Sequence, residues 1–253
     1  MLKAVGADCV CDIGSRDGDQ ALLFRHLLPN AVVIAFEANP INFATMQSRA
    51  ILRGCNVDIF PYAVSNTNGK LKFYVTDVDY SNPKENIGTS SLLVHEELKV
   101  KDAIEVDSCR IDEFIITHHP NVLKIGLWLD VESAEFWVVE GMSGIKDHVV
   151  AMHVETAFQP MRKGQKTYHE LAPLLESMGF QCEGSNIGKN EAGGDVVFVR
   201  KDIASALGVR LSIIKLRSLV IYWTKIDEIA VFLKSHCHWL YRLLRRVYIR
   251  LGT

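Results

Sequence analysis

The feature that most constrains the fold of this 253-residue chain is the alternation, over its first 200 residues, of short apolar runs with helical patterns. The apolar runs lack polar alternation, which is typical of parallel strands that helices cover on both faces. These runs span residues 7–13, 31–36, 57–64, 122–131 and 149–155. Helices are expected between them, at residues 19–28, 40–53, 134–141 and 168–179. The pattern predicts an α/β fold with a doubly wound, mostly parallel sheet.

Two further regions favour antiparallel strands. Residues 70–76 alternate in polarity directly after a turn at 68–69, and residues 103–108 have the pattern of another strand. Residues 180–184 and 195–200 have the pattern of a closing hairpin. The sequence therefore predicts a seven-stranded sheet, five strands parallel and a hairpin that adds a reversed edge strand, together with a β-rich insertion.

The end of the chain differs from the rest in pattern and in charge. From residue 201 onward there are ten Lys and Arg against three Asp and Glu, although the whole chain carries a formal charge of −2. We divide the chain into a domain at 1–202 and a basic helical appendage at 203–253. The last helical pattern, at 239–250, is basic, amphipathic and aromatic, which suits packing on the sheet, a contact within a homo-oligomer, or peripheral contact with a membrane.

The composition restricts the cellular compartment and the kinds of partner that are expected for this chain. A hydrophobic content of 48 % with 23 % charged residues fits a globular domain, and the small net charge disfavours a nucleic-acid partner. The six cysteines show no CxxC spacing, and Asp8 and Asp12 interrupt the only early apolar run, so neither a disulfide framework nor a signal peptide is predicted. We expect reduced, mostly buried cysteines and a cytoplasmic protein.

The first candidate site follows the first apolar run. Residues 12–18 read DIGSRDG, so Asp12, Gly14 and Gly18 have the spacing D-x-G-x-x-x-G and not the G-x-G-x-x-G of a dinucleotide site. The glycines let the chain turn sharply and let the helix begin close to a ligand. An acidic residue at the strand end suits the cationic amino-acid portion of S-adenosylmethionine better than a diphosphate. The alternative is an ordinary βα turn.

A second acidic residue, Glu37, ends the second apolar run within the sequence FEANP. A carboxylate in this place can accept hydrogen bonds from both ribose hydroxyls of a nucleoside. The alternative is an acid that favours the N-terminus of the following helix. Because Asn39 and Pro40 already supply the start of that helix, we prefer the ribose role for Glu37.

With these residues in place, the chain resembles the FkbM-type family of S-adenosylmethionine-dependent methyltransferases. The resemblance runs from about residue 9 to residue 200. Its ordered pieces read DIGSRDG, FEANP, PYAVS, GTSSL, SCRIDEF, LDVESAEFWVVEGM, HVE and DVVFV. It implies a Rossmann-like class I methyltransferase sheet and methylation of a hydroxyl oxygen on a sugar, polyketide or related small molecule, with S-adenosylhomocysteine as the product.

The resemblance also implies the site. The cofactor-binding residues would be Asp12, Gly14, Ser15, Arg16, Gly18, Glu37, Ala63 and Asp130. Family members often carry glycine at the position of Ser133 and a small residue at that of Arg16. Because the first motif begins near residue 9, the segment that usually precedes the sheet is expected to be absent.

Methyl transfer is an in-line displacement in which the protein aligns donor and acceptor and removes a proton from an alcohol. The catalytic candidates are Asp130, Glu132 and Glu155, and Asp130 at the end of the fourth main strand is preferred for contact with the acceptor. Positioning of the donor amine or capping of the following helix are the alternatives for Asp130. A divalent cation between Asp130 and Glu155 is possible in this pattern but not favoured. The loop at 88–91 either closes over a ligand or is an ordinary turn.

The sequence thus predicts an S-adenosylmethionine-dependent O-methyltransferase that acts on a small hydroxylated molecule, a sugar or a lipid-linked glycan. The alternative is a non-catalytic Rossmann-like module that engages a partner or a membrane through its basic helical tail. Binding of S-adenosylmethionine distinguishes the two hypotheses.

Overall fold

Ten strands organise the part of the chain that the computed structural model describes, which comprises residues 1–76, 88–186, 193–206 and 209–210. They are β1 (Cys9–Ile13), β2 (Val32–Phe36), β3 (Asp58–Phe60), β4 (Ala63–Val64), β5 (Gly69–Thr76), β6 (Val100–Cys109), β7 (Ile125–Leu129), β8 (Val149–Ala157), β9 (Phe180–Ser185) and β10 (Gly193–Arg200). Seven of them form one sheet and three form another.

The seven-stranded sheet has the order β3-β2-β1-β7-β8-β10-β9. Its first five strands are parallel, and the chain order reverses beside β1, which pairs with β2 on one side and β7 on the other. This arrangement confirms the doubly wound α/β sheet. The reversed strand is β10, which is antiparallel to both β8 and β9. The sequence predicted a reversed strand at the edge. The reversed strand β10 instead lies next to the edge, because β9 takes the outer position.

The predicted single strand at 57–64 is wrong. β3 ends at Phe60 in the large sheet, and β4 begins at Ala63 in a separate three-stranded sheet of order β4-β6-β5. Pro61 lies between them and has no N–H group with which to continue a ladder. The long antiparallel pair β5–β6 confirms the β-rich insertion.

The helices follow the predicted alternation, apart from two unpredicted helices, at Leu2–Val5 and Ile111–His118, and one predicted helix that is divided. The helices are α1 (Leu2–Val5), α2 (Asp19–Leu27), α3 (Pro40–Ser48), α4 (Ala50–Gly54), α5 (Ile111–His118), α6 (Glu135–Glu140), α7 (Tyr168–Ser177) and α8 (Lys201–Ala204). The predicted helix at 40–53 is two helices, because Arg49 between them is extended, with φ −76° and ψ 102°. α5 was not predicted, and no side chain caps its N-terminus.

Helices cover both faces of the large sheet. On one face, α5, α6 and α7 bury side chains such as Phe114, Val138 and Leu171 against the strands. On the other face, α2 and the α3–α4 pair contribute Phe24 and Leu52 to a second apolar cluster. Burial on both sides explains why the parallel strands lack polar alternation in the sequence.

The cysteines that the structure describes are free. Cys9, Cys11 and Cys109 are buried, Cys55 is half-buried and Cys182 is exposed. Among the described residues, no helix combines the length and the apolar character needed to span a bilayer. Cys237 and most of the predicted appendage at 203–253 lie outside the described residues.

Candidate active site

A cavity of about 310 Å³ opens at the carboxyl ends of β1, β2 and β7. This edge, where the strand order reverses, is the usual ligand position in doubly wound sheets. The turns after these three strands line the cavity together with residues 62–64 and part of the segment 88–92. Its volume lies at the lower end of the range of about 300–1,000 Å³ that is common for small-molecule sites.

The turn after β1 depends on two glycines in the left-handed region. Gly14 has φ +87°, and a Cβ atom on it would lie 1.8 Å from the carbonyl oxygen of Asp130. Gly18 has φ +83° and begins α2, where a Cβ atom would lie 2.8 Å from Leu52. Both conditions exclude larger residues, so the glycine spacing follows from the backbone of the turn. Gly14 lines the cavity, whereas Gly18, also predicted to bind the cofactor, does not line it and lies against Leu52.

Asp12 lies at the base of the cavity and is only 1 % exposed. Its Oδ2 accepts a hydrogen bond of 2.6 Å from the hydroxyl of Ser15. Burial raises the pKa of Asp12 to about 7, although the bond from Ser15 opposes this shift. A carboxyl group with this environment can change its charge when a cation arrives, which lowers its pKa.

Glu37 follows the last residue of β2, lies at the wall of the cavity and is 6 % exposed. Its Oε2 accepts the backbone N–H of Arg16 and its Oε1 accepts that of Asn39, each at 2.7 Å. Glu37 therefore fixes the turn after β1 against the turn after β2. Burial raises its pKa, and these two N–H groups lower it. The side chain of Asn42 also hydrogen-bonds to this carboxylate, so at least one of its four lone pairs remains for a ligand.

The three catalytic candidates come together. Oxygen atoms of Asp130, Glu132 and Glu155 all lie within 4.8 Å of one another. Asp130 and Glu132 line the first cavity, and Glu132 and Glu155 line an adjacent cavity of about 240 Å³. Glu132 is thus shared by both. Carboxylate oxygens at this spacing also suit a divalent cation. The sequence offered Asp130 and Glu155 as the pair for such a cation, and the structure adds Glu132 to them.

Burial and neighbouring carboxylates raise the proton affinity of Glu132 and Glu155. Desolvation, followed by a hydrogen bond with Asp130, raises the pKa of Glu155 even though part of its side chain reaches solvent. Burial also raises the pKa of Glu132, and the neighbouring Arg162 opposes that shift. Glu155 therefore holds a proton more readily than an isolated carboxyl group does.

The turn that carries Glu132 is strained. Glu132 has φ +56° and Ser133 has φ +82°, and neither is glycine. Buried Glu135, at the start of α6, stabilises the turn because its Oε1 accepts the N–H groups of Val131 (3.2 Å) and Ser133 (3.0 Å). Left-handed backbone at non-glycine residues is concentrated at functional sites. The conformation also explains why glycine suits position 133 in the resembled family.

The loop at 88–91 contacts this turn. Ser91 donates its hydroxyl hydrogen to the carbonyl oxygen of Glu132 at 2.7 Å, and Gly88 and Ser90 line the first cavity. Arg162, which the sequence analysis missed, donates to both Glu132 and the carbonyl of Thr89. Nothing in the local sequence distinguishes Arg162 from an exposed arginine, because its partners are 30 and 73 residues away.

The structure thus brings most of the predicted site residues to one cavity. They are Asp12, Gly14, Ser15, Arg16, Glu37, Ala63, Asp130 and Glu132. Arg16 has φ +54°, and its guanidinium is half exposed beside Asp17. His153, a neighbour of Glu155 on β8, stacks on Trp128 and pairs with Asp195 at 3.2 Å, which makes it part of the sheet packing.

The sheet order and the position of the cavity are those of a Rossmann-like, class I methyltransferase domain. The family model described as the methyltransferase FkbM domain matches residues 12–182. The chain belongs to the FkbM methyltransferase family. Among curated proteins, none matches the sequence.

Similar solved structures share little sequence with the chain. A LepI variant in complex with SAH and a substrate analogue has 12 % identity and a TM-score of 0.40 over 79 % of this chain and 46 % of LepI. Magnesium protoporphyrin IX methyltransferase from Synechocystis PCC 6803, with bound SAM, has 11 % identity and a TM-score of 0.42 over 78 % and 71 % of the two chains. Precorrin-6y C5,15-methyltransferase from Geobacter metallireducens has 11 % identity and a TM-score of 0.41 over 79 % and 84 %. The chain spans less than half the length of LepI.

Proposed function

We propose that this methyltransferase uses S-adenosylmethionine to methylate a hydroxyl oxygen of a small molecule, a sugar or a lipid-linked glycan. The observation that carries the proposal is the meeting of the glycine turn after β1, Glu37 after β2 and Asp130 after β7 around one cavity. These three turns offer the groups that the parts of the donor require.

The donor fits the cavity by its chemistry. Glu37 supplies two carboxylate oxygens for the ribose hydroxyls and is held by backbone N–H groups from both neighbouring turns. Asp12 and the turn of Gly14 and Ser15 lie on the side of the methionine portion, and Ala63 lies near the adenine. The acidic lining suits a ligand with an ammonium group and a sulfonium centre.

The acceptor belongs on the side of Asp130 and Glu132 that faces away from the donor. In methyl transfer, the acceptor oxygen attacks the methyl carbon in line with the breaking C–S bond, and the sulfur leaves as a neutral thioether. Asp130 takes the hydroxyl proton, for which general-base catalysis contributes about 10²–10⁴-fold. The second cavity, bordered by Glu132 and Glu155, gives the acceptor a place beside the donor. Carboxylates on its wall favour ligands that donate hydrogen bonds, as polyols do.

The decisive experiment is calorimetry of the whole chain with S-adenosylmethionine, S-adenosylhomocysteine and ATP. Micromolar binding of the first two, with no binding of ATP, supports the proposal. Failure of both adenosyl ligands to bind contradicts it and favours the non-catalytic module. Transfer of a labelled methyl group to a panel of sugars and amines then identifies the acceptor atom, and exclusive labelling of amines would contradict O-methylation.

A further inference from the structure

Arg162 is a buried arginine that lines neither of the two cavities. It lies in the segment between β8 and α7, and its side chain is 2 % exposed. One nitrogen, Nη2, donates to Oε2 of Glu132 at 2.6 Å and to the carbonyl oxygen of Thr89 at 2.9 Å. Its buried Nε has no hydrogen-bond partner. A guanidinium is removed from water at a high free-energy cost, which a paired carboxylate offsets only in part.

The partner of Arg162 is the residue that both cavities share. Glu132 is held at its carboxylate by Arg162 and at its carbonyl oxygen by the hydroxyl of Ser91. These contacts keep a strained residue, at φ +56°, in one conformation on the wall between the cavities. Loss of the ion pair would leave the carboxylate free to turn toward either cavity.

Arg162 also sets the charge of the cluster. Three carboxylates have oxygens within 4.8 Å of one another, and across the described residues Arg162 is the one cationic side chain that forms an ion pair with them. In methyl transfer the sulfonium loses its positive charge on the way to the transition state. Negative charge beside the sulfonium, when no cation balances that charge, therefore stabilises the bound donor more than the transition state. Such unbalanced charge slows the reaction.

We propose that Arg162 is a positioning residue of the methyl-transfer site that holds the Glu132 carboxylate and neutralises its charge beside the reacting centre. The proposal rests on the proposed function, because it requires the sulfonium of the donor to lie in the first cavity. Arg162 acts through Glu132 and does not contact the donor.

The test compares two ligands that differ at the reacting position. Sinefungin has an amino-bearing carbon in place of the methylsulfonium, whereas S-adenosylhomocysteine is uncharged there. The ratio of their Kd values reports the charge around that position, and the shared adenosyl and amino-acid parts cancel. Calorimetry at pH 8 with EDTA is run on the wild type, R162Q, R162K, E132Q and the double variant R162Q/E132Q.

The expected results follow from charge. R162Q increases the preference for sinefungin by at least about threefold, because it leaves one more uncompensated carboxylate. E132Q shifts the preference in the opposite direction, R162K restores it toward the wild type, and the double variant returns it to near the wild-type value. A merely structural arginine would lower the melting temperature and leave the ratio unchanged.

Two negative results of this experiment have different meanings. If the wild type binds neither ligand, the proposed function fails. If it binds both and the ratio moves in neither R162Q nor E132Q, the assignment of Arg162 is overturned. E132Q keeps a side chain of the same shape at a residue that is only half-buried, so it carries the test if R162Q does not fold.

Discussion

Gly14 and Asp130 touch: a Cβ atom on Gly14 would lie 1.8 Å from the carbonyl oxygen of Asp130. The two residues follow neighbouring parallel strands, and the N–H of Asp130 donates to the carbonyl oxygen of Ile13 at 3.0 Å. The turn proposed to hold the methionine portion and the turn that carries the proposed base are therefore packed directly together. A change in one displaces the other.

Gly14→Ala is expected to weaken S-adenosylhomocysteine binding at least about tenfold, because the new methyl group overlaps the backbone of Asp130 and φ +87° disfavours alanine. Calorimetry measures the affinity. Gly54→Ala is the matched control, since Gly54 ends α4 with open space around its Cα. Equal affinities of the two variants would contradict the close approach.

Ser133→Gly is expected to raise the free energy of unfolding by about 1 kcal/mol, because serine at φ +82° is strained and glycine is not. Urea denaturation followed by circular dichroism measures the change. Ser177→Gly, at the end of α7, is the control at a serine without left-handed backbone and should not raise stability. A destabilised Ser133→Gly would show that the hydroxyl contributes more than the strain removes.

Glu135→Gln is expected to flatten the pH dependence of stability. Burial raises the pKa of Glu135 to about 7, above its unfolded value of about 4.3. The folded state thus binds the proton more tightly, so this residue's contribution to stability falls as pH rises from about 4.5 to 7 and is constant above. Glutamine removes that fall and can still accept the two N–H groups at its carbonyl oxygen.

Melting temperatures of the wild type and Glu135→Gln at pH 5, 6, 7 and 8 check this prediction. The difference between the proteins should favour the variant increasingly up to pH 7. Glu97→Gln, at an exposed position, is the control that should follow the wild type at every pH. A constant difference would mean that Glu135 is already ionised at pH 5.

Glu37→Gln is expected to weaken S-adenosylhomocysteine binding about tenfold. An amide replaces one of the two oxygens that accept the N–H groups of Arg16 and Asn39, and it offers one acceptor fewer to the ribose. Calorimetry measures the affinity, with Glu113→Gln on the exposed face of α5 as control. Unchanged affinity would refute the ribose assignment.

Asp130→Asn is expected to reduce turnover about 10²-fold or more while S-adenosylhomocysteine affinity changes less than about threefold, because asparagine cannot accept the hydroxyl proton. The measurement is methyl transfer to whichever acceptor the panel of sugars identifies. If affinity and turnover fall together, Asp130 holds the donor and is not the base.

Much of the fold follows from local sequence. The parallel strands and most helix positions were predicted because burial on two faces leaves uninterrupted apolar runs, and because Pro40 and Gly54 mark helix ends. α5 and the division of residues 57–64 between two sheets were missed. The division depends on which distant strand a segment meets, and local periodicity does not contain that information. α5, in contrast, has apolar Ile111, Phe114 and Ile115 at helical spacing, so the local sequence does contain a signal for it.

The site shows the same limit. Asp12, Gly14 and Glu37 were found because a βα turn leaves a spacing in the sequence, and all three line the cavity. Arg162 was not found, since its contacts come from residues far apart in the chain. Glu132 was predicted as a catalytic candidate, but its left-handed backbone in the turn before α6 was not, because nothing in the local sequence indicates it.

The chain leaves the seven-stranded sheet at Phe60 and enters the three-stranded sheet at Ala63, so the two sheets share no strand. Strand β6 pairs with β5 on one side and with β4 on the other, and none of the three belongs to the larger ladder. Substitutions within β5 or β6 therefore break no hydrogen bond of the seven-stranded ladder, because neither strand belongs to it. Phe73 of β5 lines the cavity, so a change at this residue reshapes the cavity wall while the strand pairing of the larger sheet stays as it is.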